Sequence, residues 1–238
     1  MKYDKNTTPS HEERQELVQK FTDIILNVAA LSSGYIDIPT AAAITKYSRA
    51  GAGRGLIRLA RQDYVKEHQV FSMSGQTMNI YGLTKEGWEY SERDKPNWIK
   101  SRYRANTHKH EMTVLKVVGH YGFEKFSRSM NIGGIRQKNG YFKGGRLPDL
   151  RWKPTRAVEI ELTIKSRKRY IEILGLYHRK NIKSTWFVEA DIAHRLARNF
   201  SEIINTDTTE EIIQPQIIAI SHGPDGELEF NEYTYELD

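Results

Sequence analysis

The chain has 238 residues, 38% hydrophobic and 28% charged, enough to bury a core as one large domain or two small ones. It has no cysteine, which excludes disulfides, thiolate zinc sites and iron–sulfur clusters and leaves oxygen or histidine nitrogen to hold any metal. No apolar run approaches the roughly 20 residues needed to span a bilayer, so membrane insertion is not expected, and the polar opening MKYDKNTTPSHEERQELVQK lacks a signal or transit pattern, so a cytoplasmic location is expected.

The first element with helical spacing is SHEERQELVQKFTDIILNVAALSSG. It puts Leu17, Phe21, Ile24, Ile25, Val28 and Leu31 on one face, with Ser10 as N-cap, Glu13 at the capping-box position and Gly34 as the stop. A second helix is predicted over about Thr40 to Lys46. A third opens at Ser48 and runs through GRGLIRLARQD, carrying Arg49, Arg54, Arg58 and Arg61 around Leu56, Ile57 and Leu59. Gly51, Gly53 and Gly55 would each weaken a helix by roughly 0.5–1 kcal/mol, which predicts a loose turn at its start.

YVKEHQVFSMSGQTMNIYGLT reads as a β-hairpin broken at Ser74, Gly75 and Gln76, and LTKEGWEYSERD as a short closing helix. Three helices followed by a hairpin is the order of a winged helix-turn-helix, in which the third helix enters the major groove and the hairpin flanks it. Arg49, Arg54, Arg58 and Arg61 are therefore candidate DNA contacts; the competing reading is a solvated helix face on a partner-docking module. The polar stretch ERDKPNWIKSRYRAN, with Pro96, is the expected linker and divides domain 1–97 from domain 98–238.

The second domain opens with a helix over HKHEMTVLKVVGHYG, capped by Asn106 or Thr107 and ending at Gly119 or Gly122. Glu111, Leu115 and Val118 lie at i, i+4 and i+7, so a glutamate stands on the apolar stripe, where it needs a partner. His108 and His110 enclose Lys109 at a helix start, which suits phosphate contact or N-terminal capping better than a strand-borne metal pair. A strand near Phe123 to Ser127 and a Gly-rich basic connection, IGGIRQKNGYFKGG, lead into a hairpin over Arg146 to Ser166.

Its first strand is RLPDLRW, its turn Lys153, Pro154 and Thr155, and its return strand RAVEIELTIK alternates strictly. Val158, Ile160, Leu162 and Ile164 share one face; Glu159, Glu161, Thr163 and Lys165 share the other. One face is expected to be core and the other chemistry or solvent. Asp149 would lie near the acids of the second strand, and acids beside a lysine can hold a divalent metal and a water. The alternative is the exposed face of an edge strand, with Glu159, Glu161 and Lys165 paired to Arg146 or Arg151.

Charge is concentrated around this hairpin. Arg136 to Lys183 holds 14 Lys and Arg against 4 Asp and Glu, while the rest of the chain holds 22 against 26, so the overall +6 and pI near 9.3 arise locally. A polyanionic partner follows from that placement more than from the average. A helix from about Arg167 to Asn181, a strand STWFVEA, a helix from Asp191 to about Ile204 and strands QIIAIS and ELEFNEYTYEL complete a mixed α/β sheet. Arg146, Arg167, Lys168, Arg169 and Arg179 suit phosphate-backbone contact. Tyr141, Tyr170 and Tyr177 fall in the basic region as candidate nucleophiles, with core packing the stronger reading for each.

YGLTKEGWEY resembles the Leu-Thr-x-x-Gly signature that closes many winged-helix repressor domains. Pro148 and Asp149, followed after eleven residues by Glu161 and then by Lys165, resemble the PD-(D/E)xK restriction-endonuclease-like fold, an α+β mixed sheet with flanking helices. That family places its lysine two residues after the second acid, where this chain has Thr163; Lys165 stands four residues after it, with Lys168 and Lys180 as substitutes on the next helix.

The resemblance implies that Asp149, Glu161 and the carbonyl of Leu162 hold Mg²⁺ or Mn²⁺, that Glu111 is the accessory acid of the first helix and that Lys165 assists at the scissile phosphate. Over most of the chain, anchored on YGLTKEGWEY, THKHE, RLPDL and VEIELTIKS, the sequence resembles the MobC-type mobilization relaxases of the plasmid replication-relaxation family. This implies a DNA-nicking enzyme that meets double- and single-stranded DNA at a plasmid transfer origin and works with an accessory mobilization protein and a coupling ATPase. A non-catalytic winged-helix regulator or plasmid replication protein is the alternative from another class.

Overall fold

Helix α1 (His11–Leu31) begins where the sequence places its cap. Ser10 Oγ accepts the Glu13 N–H at 3.2 Å while the Glu13 carboxylate accepts the Ser10 N–H at 2.6 Å. The computed structural model describes residues 10–71, 75–91, 105–128, 148–152, 156–206, 213–223 and 227–233, and the chain divides into two compact units, Met1–His108 and Lys109–Asp238. The expected boundary at residue 97, the hairpin break at Ser74, the turn Lys153 to Thr155 and the Gly-rich connection before Arg146 lie outside the described residues.

In the first unit, β1 (Tyr35–Asp37) leads into α2 (Ile38–Thr45), α3 (Arg49–Arg61), β2 (Val65–Phe71), β3 (Thr77–Leu83) and α4 (Lys85–Tyr90). Asp37 caps α2 by accepting the Thr40 N–H at 2.8 Å. Burial pushes the Asp37 carboxyl up, but hydrogen bonds from His108 and Thr40 outweigh it and hold the group below its ordinary range. The three strands form an antiparallel sheet in the order β1-β3-β2. Phe21, Ile25, Leu26 and Val28 of α1 are buried with Ile36, Leu56, Leu59 and Ile80, each such side chain contributing about 1.5–3 kcal/mol of apolar burial.

The glycines at the start of the third helix do not form a turn. Gly51, Gly53 and Gly55 lie inside α3, which Ser48 caps at Gly51 N. Packing overrides propensity at Gly55, where an added Cβ would overlap the ring of Phe21. Gly55→Ala is therefore expected to lower the stability of the protein by about 1–3 kcal/mol through overpacking, although alanine is the better helix former. Urea unfolding followed by circular dichroism measures this, and a stabilised variant would refute the packing argument.

A 3-10 turn at Ala105–Thr107 lies at the end of the first unit and leads into α5 (His108–Tyr121), whose residues from Lys109 onward belong to the second. Then come β4 (Phe126–Arg128), β5 (Leu150–Trp152), β6 (Arg156–Glu161), α6 (Arg167–Arg179), β7 (Ser184–Glu189), α7 (Ala190–Thr206), β8 (Gln216–His222) and β9 (Leu228–Tyr233). The sheet order is β4-β5-β6-β7-β8-β9, with β6, β7 and β8 parallel and the outer pairings antiparallel. α6 and α7 bring Tyr170, Ile173, Leu174, Tyr177, Leu196 and Phe200 onto Ala157, Trp186, Val188, Ile217 and Ala219. Tyr121 of α5 packs against Trp152, Phe187 and Phe230. Phe187 is the register partner of Ile160, on the sheet face opposite the Ala157 set. This is a mixed α/β sheet covered by helices on both faces.

One expectation for the hairpin changes and its edge-strand alternative falls. β6 stops at Glu161 and the chain bends at Leu162 and Thr163, so Lys165 is not on the strand. β6 is an interior strand between β5 and β7, not an edge. Its glutamate face is neither solvent nor surface, because α6 covers it: Glu159 is 1% exposed and Glu161 2%. Nearer the start of the unit, Phe123–Lys125 is a 3-10 turn, which delays β4 to Phe126.

Candidate functional site

The parallel strands end together on polar groups. Glu161, Glu189 and His222 are the last residues of β6, β7 and β8. In open α/β sheets the carboxyl ends of parallel strands form the crevice where ligands bind, because loops and helix ends there leave backbone and side chains accessible.

Glu161 is held at this edge by Lys165, whose Nζ lies 2.8 Å from Glu161 Oε1 and donates to Thr163 Oγ1 at 2.7 Å. The glutamate side chain is 3% exposed and the lysine 35%, so one end of the pair is desolvated and the other is wet. The bend at Leu162 and Thr163 brings the lysine back over the last strand residue. Tyr170 fixes the bend from beneath, since its buried hydroxyl accepts the Lys165 backbone N–H at 2.8 Å. Thr163, which occupies the position where the motif expects lysine, serves as an acceptor for the lysine that stands two residues later.

Asp149 stands immediately before the adjacent strand, β5. Its Oδ2 accepts the Ile160 N–H at 2.7 Å, continuing the β5–β6 ladder beyond Leu150. The same oxygen lies 3.2 Å from His110 Nε2 on α5, and opposite a carboxylate that nitrogen is the donor. The structure thus attaches Asp149 to the backbone one residue before Glu161. Leu162, whose carbonyl is the third expected ligand, is half-buried in the bend that follows. Glu111 is half-buried in the first turn of α5.

The other candidates divide by burial. Tyr170 is 0% exposed and Tyr177 3%; Tyr177 donates its hydroxyl to buried Glu159, so both tyrosines brace the core beneath the site rather than facing a substrate. Arg167, Lys168, Arg169 and Lys180 are exposed on or just after α6, with Arg167 also paired to Glu202 at 3.3 Å. Arg146 and Tyr141 lie outside the described residues. On α3, Arg49, Arg54 and Arg61 are exposed, but Arg58 is half-buried with its guanidinium 5.8 Å from the centre of the Phe21 ring.

Two participants escaped the sequence reading. His110, a candidate for capping or phosphate contact, contacts Asp149. Glu189 falls inside the expected strand STWFVEA with no role assigned, yet its carboxylate takes Lys109 at 2.6 Å and His222 at 3.2 Å. The signal that could have found it is position: an acid ending a parallel strand directly before a helix.

Oxygen donors suit Mg²⁺ or Mn²⁺, and the side chains of Asp149 and Glu161 and the Leu162 carbonyl are donors of that kind. Among the described residues no three His, Asp or Glu side chains group as a metal site, so a cation here would rely on two carboxylates, the carbonyl and water. No helix among the described residues is long and apolar enough to cross a membrane.

No family model matches the sequence, and no curated protein matches it. Among solved structures, a mutant of Lactococcus lactis ZitR in apo form is similar at 15% identity and a TM-score of 0.26, over 47% of this chain and 74% of that one. A likeness at that level carries no argument about fold or activity.

Proposed function

We propose that this chain is a metal-dependent DNA endonuclease of the strand-nicking relaxase type, with a winged-helix DNA-binding unit ahead of a PD-(D/E)xK-like unit. The observation that carries the reading is the Lys165–Glu161 pair at 2.8 Å, formed beside an Asp149 that is bonded to the neighbouring residue of the same strand. Asp149 stands just before β5 and Glu161 ends β6, and the bend after β6 brings Lys165 back to Glu161. The element order α5-β4-β5-β6-α6-β7 is also that of the nuclease core, and α1-β1-α2-α3-β2-β3 that of a winged helix.

In this reading Asp149, Glu161 and the Leu162 carbonyl hold Mg²⁺ or Mn²⁺. When bound, the cation supplies charge neutralisation at the scissile phosphate and acidifies water. Lys165 donates hydrogen bonds toward the attacking water or the phosphate oxygens. The exposed basic residues of α6 meet the DNA backbone, and α3 positions the duplex. Transfer-origin recognition, an accessory mobilization protein and a coupling ATPase follow from the resemblance to the mobilization relaxases.

Purified protein incubated with supercoiled plasmid carrying a transfer origin is expected to give open circles with Mg²⁺ or Mn²⁺ and none with EDTA. Linear product would indicate a double-strand endonuclease, and unchanged plasmid under every metal condition would refute the enzyme.

One observation favours the second reading, a non-catalytic DNA-binding regulator or replication protein: both acids of the site are already engaged, Glu161 by Lys165 and Asp149 by Ile160 and His110. Both readings share the DNA-binding unit. Arg54→Ala and Arg61→Ala should each weaken duplex binding and reduce the slope of log affinity against log salt by about 1. Fluorescence anisotropy across a salt series would show it, and an unchanged slope in both variants would remove α3 from the interface.

A further inference from the structure

We infer that His110 is a positioning residue for the metal site, holding Asp149 in the orientation that presents its other oxygen to the cation; this rests on the metal-dependent reading above. Asp149 Oδ2 receives two donors, the Ile160 N–H at 2.7 Å and His110 Nε2 at 3.2 Å. They come from different elements, a strand backbone and a helix side chain, so the carboxylate is fixed about two axes. A carboxylate has two oxygens and about four lone-pair sites. Among the described residues both donors fall on Oδ2, and the proposal gives Oδ1 to the cation.

The backbone donor alone would let the carboxyl plane turn about its single contact. The histidine removes that freedom, as hydrogen bonds from outside a coordination sphere commonly orient a ligating carboxylate. His110 is 35% exposed and Asp149 16%, so the histidine covers the solvent side of the acid without sealing it. His110 and Lys109 are consecutive, and they reach Asp149 and Glu189 respectively, tying one helix turn to two separate acids.

The test is Mn²⁺ binding by the full chain, followed through loss of the free-ion electron paramagnetic resonance signal, so that its readout is independent of DNA cleavage. His110→Ala should weaken Mn²⁺ binding by roughly 10–100-fold, while His110→Gln, whose amide N–H can still donate, should restore most of it. Unfolding midpoints of both variants should stay near that of the wild type. Asp149→Ala serves as the reference for loss of a ligand.

If His110→Ala binds as the wild type does while Asp149→Ala does not, the positioning role falls and the metal site stands. If His110→Gln binds as weakly as His110→Ala with the fold intact, donation to Asp149 is not what matters and the inference is overturned. Loss of folding in both variants would make the contact structural and overturn it equally. If the wild type itself binds no Mn²⁺, the metal-dependent reading fails and this inference fails with it.

Discussion

Asp149→Ala is expected to reduce metal-dependent strand scission by more than 100-fold while leaving duplex binding by the first unit in place. Loss of an outer partner of a metal ligand commonly costs roughly 10–100-fold, and a ligand itself should cost more. The same substitution has a structural consequence. Ile160 N–H would lose the acceptor it now has at 2.7 Å, and an unmet buried donor costs about 1–3 kcal/mol. Asp149→Asn separates the two effects, because its carbonyl can still accept that N–H while the charge is gone. Nicking and urea unfolding measured on both variants decide the matter: full scission in either would exclude Asp149 from the chemistry, and scission that merely tracks stability would make its role structural.

Lys165→Met carries the second large effect. It would leave the Glu161 carboxylate, 3% exposed, without its cation. Breaking a buried pair from one side costs about 3–5 kcal/mol, and the lower end applies because the lysine is 35% exposed and water can enter where it stood. Adding Glu161→Gln should recover most of that stability, since a neutral amide is less costly to desolvate than a carboxylate. Scission should not recover, because both charged groups are then missing. A double-mutant cycle on stability, run beside the nicking assay, tests this. Recovery of activity in the double variant would assign the pair to structure alone, and loss with Lys168→Ala instead of Lys165→Met would move the catalytic lysine onto α6.

The candidate site was legible in part. The alternation of RAVEIE located β6 and the face shared by Glu159 and Glu161, because period two is a property of extended backbone that needs no tertiary information. It could not say where the strand stops. Leu162 and Ile164 continue the apolar alternation, yet the backbone bends at Leu162 and Thr163, and that bend, not the pleat, brings Lys165 to its acid. Nor could alternation say what covers the glutamates. A strand with acids on one face looks like an edge until the sheet order is known; β7 pairs beyond it and α6, whose Tyr177 bonds Glu159, covers the acid face.

Local chemistry, then, determined what is local. The Ser10 and Glu13 capping box, the Ser48 cap, the helix and strand order and the clustering of basic residues around the acid hairpin all follow from side chains acting within a few residues of themselves. The tertiary structure decided what depends on groups far apart in sequence: that Gly55 makes room for Phe21, that Arg58 turns onto that same ring, that Tyr170 anchors the Lys165 bend, and that His110 reaches Asp149 across 39 positions. The physical reason is range. A cap or a pleat is fixed by backbone geometry within a turn, whereas a hydrogen bond to a buried carboxylate depends on which element the sheet brings beside it.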